Sequence, residues 1–469
     1  MSLMHLQSFL VILLNLSLLL SFTASDSFAD EASSYEADVI KVRELFESRR
    51  FQELTSLLEK YQTSCEQDIR WEFSVQDAFN VFDVTQPSYR MLIVEWVQAS
   101  PKSWVPLIAQ ANYYYALGWK ARGGKYASET SEEQIRQMRD NFAVTVQDTT
   151  AALRINPRLC FAYDLLMKVN QAEGNQDAGA LLVRKALASF PDSYLIRYRH
   201  MMSLTPRWGG SYKKMEQFAL EEAPYVKKNP MIKTLPGFVF WDQASMADLN
   251  KQPPRAIELY EKALTYGENW NFLYDLANVY FRNQMSDKAL QTVVRAIALR
   301  PSLADGYVLR CAVHWELRKF QGALDDCTHA IGLNPYNANA FLNRGGAKYD
   351  VNDFKGALGD YDEAIRLDPY LTHAYIYRCA VKLQLGRLQG ALDDCTHAID
   401  LDPRNAYAFR NRGLAKERMN DFQGALGDYD EAIRLAPDVK TYCNRGRLRS
   451  QREGLGNYLG AWMDWMHCR

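Results

Sequence analysis

Asp, Cys and His crowd into one short string, QGALDDCTHAI, and the string occurs twice, at 321–331 and 389–399. Those residue types supply metal ligands, or a thiolate with its base, when their side chains converge on one point. On a helix they do not converge here. Asp326 precedes Cys327 by one residue and His329 follows it by two, so apart from Asp326 with His329 they point to other sides. The string therefore reads as one buried Cys beside a solvated polar face, and neither a metal nor a catalytic residue is assigned to it. Arg122-Gly123-Gly124 and Arg207-Trp208-Gly209-Gly210-Ser211 are the other stretches that invite chemistry. Glycine pairs beside Arg can present backbone N–H groups to an anion, which makes Arg122, Arg207 and Trp208 a candidate ligand cleft. The commoner use of such pairs is a tight turn with positive φ. No nucleophile, base and metal set gathers anywhere else, and histidines number only seven. The chain reads as non-enzymatic, with no cofactor.

The bulk numbers narrow the partners. Hydrophobic residues make up 48% and charged residues 24%, ordinary for a folded protein. The formal net charge is −1 over 469 residues, so no global field favours nucleic acid. The length exceeds one compact core and suits several domains or a repeat array.

The N-terminus carries LQSFLVILLNLSLLLSF followed by small and polar residues, the pattern of a secretory signal peptide over 1–29, with Ala29 before the cut. The expectation is an exported chain, periplasmic or secreted, with no stable membrane span after cleavage. A signal anchor is the alternative, although Asn15, Ser17 and Ser21 interrupt the apolar run. Export permits the eight cysteines to pair.

A repeat explains the doubled string. The copies are 68 residues apart, as are the two copies of GALGDYDEAIRL at 356 and 424, and the real unit is half of that. Pro301, Pro335, Pro369, Pro403 and Pro437 recur every 34 residues, and Ala323, Ala357, Ala391 and Ala425 keep the same step. Small residues let neighbouring helices approach, and each Pro ends a helix. With Tyr307, Cys311, Ala323, Ala330 and Pro335 at positions 4, 8, 20, 27 and 32 of the unit 304–337, the sequence resembles the tetratricopeptide repeat family. The resemblance implies an all-α fold: a right-handed α-solenoid of helical hairpins, preceded by a helical, partly repeat-like domain over 30–236. Six units are expected, at 237–269, 270–303, 304–337, 338–371, 372–405 and 406–439. Residues 438–469 are expected to cap the array, with Trp462, Trp465 and Met466 covering its last apolar face.

In such arrays the first helix of each unit lines a groove that holds a protein or peptide partner. The frame places Tyr274, Val308, Leu342, Ile376 and Arg410 at position 5, Phe281, Trp315, Tyr349 and Leu383 at position 12, and Asn278 at its polar edge. An apolar ladder with polar margins suits an extended peptide or a partner helix. Packing against neighbouring helices is the competing use of the same stripe. Tyr274 stands where chaperone-binding members need a Lys for a terminal carboxylate. In the same frame Cys311 and Cys327, and Cys379 and Cys395, occupy positions 8 and 24, symmetric about the turn. Each pair is either a staple between two antiparallel helices or two buried free thiols. Cys443–Cys468 and Cys65–Cys160 are left over, with no positional support.

Upstream, 35–65 reads as a helical hairpin and 160–193 as a degenerate unit. Ser131-x-x-Gln134 is a candidate helix cap. Through WKARGG and LTPRWGGS this region is similar to an uncharacterised bacterial helical domain family found beside such repeats. A ligand-binding or enzymatic role for residues 100–236, with the repeats recruiting its substrate, is the alternative function.

Overall fold

Left-handed turn residues punctuate the chain at hairpin intervals. Lys251, Gln284, Arg318, Asn352, Gly386 and Asn420 all have positive φ, and they are spaced by 33 or 34 residues. Each sits just past the end of one helix and reverses the chain into the next, the geometry of a left-handed C-cap. Glycine takes that conformation without strain at Gly386, where φ is 70°. Arg49 and Gly174 do the same in two hairpins near the N-terminus.

The structure is a computed structural model that describes residues 37–124, 129–451 and 455–468. The signal-peptide expectation for 1–29 lies outside them. Among the described residues there are 24 α-helices and no strand, so the fold is all-α. No helix among them is long and apolar enough to cross a membrane.

The chain forms two compact units, divided between Gly306 and Tyr307. The first contains α1 (Val39–Glu47), α2 (Phe51–Gln67), α3 (Glu72–Asn80), α4 (Pro87–Ala99) and α5 (Val105–Arg122). It continues through α6 (Glu132–Ile155), α7 (Cys160–Ala172), α8 (Gln176–Ser189), α9 (Tyr194–Ser203) and α10 (Tyr212–Glu222). Two repeat hairpins belong to the same unit, α11 (Gly237–Leu249) with α12 (Pro253–Leu264) and α13 (Trp270–Arg282) with α14 (Ser286–Leu299). The division thus falls two hairpins later than residue 236, because polar bonds tie those hairpins to the N-terminal helices. Asp77 on α3 receives Arg300 and Ser302 from the turn after α14. Asn269 donates to the Tyr194 hydroxyl at 2.6 Å. The cap expected at Ser131 is present as a reciprocal pair with Gln134.

The second unit is built of hairpins α15 (Ala304–Glu316) with α16 (Phe320–Leu333) and α17 (Ala338–Asp350) with α18 (Phe354–Leu367). There follow α19 (Thr372–Gln384) with α20 (Leu388–Leu401), α21 (Ala406–Arg418) with α22 (Phe422–Leu435), and a last pair, α23 (Val439–Ser450) with α24 (Leu455–His467). The repeated alanines are fully buried, so the close approach that their size permits is used in every hairpin.

Charge closes each hairpin. Arg344 on α17 grips Asp360 on α18 through two bonds, at 2.7 and 3.0 Å, and Lys348 reaches the same carboxylate at 2.8 Å. Arg378 and Lys382 hold Asp394, and Arg412 and Lys416 hold Asp428, in the same way. In the first of these hairpins Arg310 and His314 hold Asp326. These four aspartates are buried and their cations are mostly so. Removing the carboxylate strands two cations away from water. Asp360→Ala should lower stability by about 3 kcal/mol, read as a shifted midpoint in urea unfolding of the full chain. An unchanged midpoint would show that the cluster is idle.

Candidate functional site

The doubled string resolves residue by residue. Asp326 is not on a solvated face: it is 6% exposed and bound to Arg310 and His314. Cys327 lies against Cys311 in disulfide geometry, with Cα atoms 5.5 Å apart, and Cys395 against Cys379 at 5.7 Å. His329 and His397 are exposed and lie tilted against the rings of Tyr307 and Tyr375, with ring centres 4.3 and 4.4 Å apart. Asp326, Cys327 and His329 thus each contact the facing helix, whereas Gln321 donates to Asp325 within its own helix. Cys443 and Cys468 also adopt disulfide geometry, at 5.0 Å between Cα atoms. Cys65 and Cys160, the other leftover pair, are buried and unbridged.

The alternate hairpins fill the cysteine positions differently. Positions 8 and 24 are Gly345 with Tyr361 and Gly413 with Tyr429. A Cβ added at Gly345 would stand 2.7 Å from the Tyr361 ring, and one at Gly413 would stand 2.8 Å from that of Tyr429. One inter-helix contact is therefore made either by two sulfurs or by a ring lying on a glycine.

In the second unit the groove residues divide. Leu342, Ile376 and Leu383 are buried. Ile376 packs with Ala398 and Ala408, and Leu383 packs around Cys379, Cys395 and Ala415. Their side chains join adjacent repeats, so the apolar wall expected from them is filled by the chain itself. Trp315, Tyr349, Val308 and Arg410 are half-buried. The Trp315 indole donates to Asp350 at 2.6 Å and lies over Gly346, where a Cβ would come within 2.5 Å of it. Gln384 donates to the Tyr349 hydroxyl at 3.3 Å, and Arg418 to the Leu383 carbonyl at 2.7 Å. Position 12 of one repeat therefore meets position 13 of the next, three times in succession. Arg410 approaches Asp438 at 3.5 Å. In the first unit Tyr274 stacks on Trp270 at 4.6 Å, Asn278 donates to the Tyr274 carbonyl, and Phe281 is half-buried.

The candidate cleft does not assemble from its arginines. Arg122 stacks on Trp119 at 5.2 Å, whereas Arg207 binds buried Asp242 at 2.6 Å. Gly123 and Gly209 have φ of 72° and 81°, so both glycine pairs make turns. A Cβ at Gly210 would strike the Leu204 carbonyl oxygen. Trp208 is half-buried.

Sequence reasoning passed over one buried cluster in the first unit. Glu72, at the first turn of α3, accepts from the Ser193 hydroxyl at 2.6 Å and the Tyr194 N–H at 2.9 Å. It caps the N-terminus of α9 from 121 residues away, favoured there by the helix dipole. Burial pushes its carboxyl up to about 7 and drives the neighbouring Cys160 thiol well above its usual range. No signal in the sequence marks Glu72, because its partners are remote.

Comparison with known proteins agrees with these elements. A tetratricopeptide repeat family model matches residues 248–304 and 381–439, and the hairpins over those residues are tetratricopeptide repeats. A second family, described as a domain of unknown function (DUF4034), matches residues 38–183. Among solved structures, a tetratricopeptide repeat protein from Parabacteroides merdae is 16% identical, with a TM-score of 0.41, over 50% of this chain and 91% of that one. TTC0263 from Thermus thermophilus is 18% identical, with a TM-score of 0.34, over 39% and 98%. YrrB, described as a repeat protein with an unusual peptide-binding site, is 24% identical, with a TM-score of 0.31, over 39% and 94%. No curated protein matches.

The raised Glu72 carboxyl has a defined consequence. The folded chain holds that proton more tightly than the unfolded chain, whose carboxyl titrates near 4.5. Its contribution is complete below pH 4.5 and is lost as pH rises toward 7. Glu72→Gln keeps an acceptor but cannot titrate. Its thermal midpoint should therefore fall less than the wild type's over that range; parallel curves would contradict the assignment.

Proposed function

We propose that this chain is an exported, non-catalytic scaffold that holds a protein or peptide partner along the first helices of its repeats. The observation that carries the reading is the succession Trp315–Asp350, Tyr349–Gln384 and Leu383–Arg418. Each bond fixes a position-12 residue against the following repeat. Trp315 and Tyr349 keep half-exposed aromatic faces beside exposed Asp350, Gln384 and Arg418. A partner meeting this strip finds rigid aromatic anchors with polar margins, ordered before binding. The net charge of −1 supports a protein partner over nucleic acid.

The non-catalytic part of the reading is supported by how the reactive groups are spent. Glu72, Cys160 and Ser193 lie within one cluster, yet they are 2%, 2% and 0% exposed, and Glu72 and Ser193 are engaged in capping a helix. Export is supported by the apolar N-terminal stretch together with cysteine pairs whose Cα separations suit bridges.

Two measurements test the reading. For a peptide selected on the full chain from a random library, Trp315→Ala and Tyr349→Ala should each weaken binding roughly tenfold. Peptides that bind both variants as tightly as the wild type would place recognition elsewhere. Non-reducing peptide mapping of the protein from an extracytoplasmic fraction should return Cys311 linked to Cys327 and Cys379 linked to Cys395. Each link should contribute roughly 3 kcal/mol. Recovery of these four as alkylatable thiols would remove both the staples and this support for export.

A further inference from the structure

Taking the first helices as the binding strip, we propose that the partner lays one Lys or Arg side chain on the water-facing side of the Trp315 indole. The inference rests on that strip and adds the chemistry of its main contact.

Against the expected cap, Trp462, Trp465 and Met466 of the last hairpin are 61%, 51% and 52% exposed. Trp315 differs, because neighbours on the next two first helices hold it in place. Its N–H is bound to Asp350 of α17 at 2.6 Å, and a Cβ at Gly346 of the same helix would come within 2.5 Å of the ring. Tyr377 of α19 stands perpendicular to it, with ring centres 6.1 Å apart. It also packs against the buried Cys311–Cys327 pair. What Trp315 offers to water is therefore a fixed indole surface, and indole is the aromatic group that attracts a cation most strongly.

The chain uses that contact throughout its hairpins. Arg310, Arg344, Arg378 and Arg412 each lie over the ring three residues before them, 5.2 to 5.5 Å from its centre. Among the described residues no cation lies over Trp315 in this way. Of the cations nearest in sequence, Arg318 lies over Phe320, Lys348 binds Asp360, and Lys319 stands beyond the turn at the start of α16.

Charge selects the occupant. Asp350 takes the indole N–H, a neutral donor, and among the described residues neither Asp350 nor Glu316 forms an ion pair. Both are exposed. Position 13 runs Glu316, Asp350, Gln384 and Arg418 from one repeat to the next, so the carboxylates of that row gather at the Trp315 end. Two uncompensated carboxylates beside an aromatic surface favour a cation over a neutral or acidic side chain. An ammonium or guanidinium there meets the ring and the Asp350 carboxylate together.

Fluorescence anisotropy with a labelled peptide tests the contact. The probe is a peptide selected from a random library for binding to the full chain and for loss of binding to Trp315→Ala. Such peptides should share a Lys or Arg. Replacing it by norleucine, which keeps the stem of Lys without its charge, should weaken binding roughly fivefold. On Glu316→Gln/Asp350→Asn, in which an amide oxygen still accepts the indole N–H, the same replacement should change binding by less than about twofold. Asp393→Asn, at an exposed carboxylate of a second helix, should leave the full difference intact, and circular dichroism should be unchanged in every variant. Peptides that need Trp315 but bind equally well with norleucine overturn the cation and leave the strip standing. A charge dependence that survives loss of both carboxylates overturns it as well. A selection that yields no peptide dependent on Trp315 overturns the strip and this contact with it.

Discussion

A carboxylate buried between two cations of the facing helix is the interaction on which the second unit depends. Asp360 between Arg344 and Lys348 is one instance, and Asp394, Asp428 and Asp464 repeat it. A lone buried charge is costly, and a bidentate guanidinium with a second cation offsets that cost only in one geometry. The two helices of each hairpin are thus held in a single register, with position 7 opposite position 23. Position 8 then faces position 24, where the structure places either two cysteines or a glycine under a tyrosine. Sulfur or ring fills the same gap because the ion cluster beside it has already fixed the gap's width.

Register carries through to the surface. Because these hairpins keep one register, position 12 of a first helix meets position 13 of the next three times in succession, and the row from Trp315 to Arg418 is the outcome. Rigid presentation of side chains is what an interaction scaffold needs, and it costs a partner little ordering on binding. The first unit is organised differently. There, remote pairs such as Glu72 with Ser193 and Asp77 with Arg300 join segments far apart in sequence, and the first two repeat hairpins are absorbed into that network.

Much of the fold was legible because the hairpin repeats. The 34-residue step of alanines and prolines located each helix pair, and the left-handed residue at each turn follows the same step. The ion clusters were equally available, since Arg and Asp recur 16 apart in the four units from 304 to 439, the very spacing that singled out the cysteines. They were missed because Asp326 looked like a surface residue of a polar string. Leu342, Ile376 and Leu383 show the converse limit. A first-helix stripe read on one repeat cannot reveal how much of it the next repeat covers. Nor did periodicity show that Trp462 and Met466 face outward, since the aromatic residues of a terminal hairpin look the same whether they cover a core or leave it. Glu72 and Arg207 lay beyond reach for a simpler reason: their partners come from segments 121 and 35 residues away.

The register itself is the central claim, and an introduced cross-link measures it most directly. Gly345→Cys combined with Tyr361→Cys places sulfurs at positions 8 and 24 of a hairpin that naturally has none there. The account predicts a bridge between residues 345 and 361 that forms nearly completely under mild oxidation, with helical content unchanged. Free thiols at both positions in the folded, oxidised protein, or bridges from them to other cysteines, would contradict it.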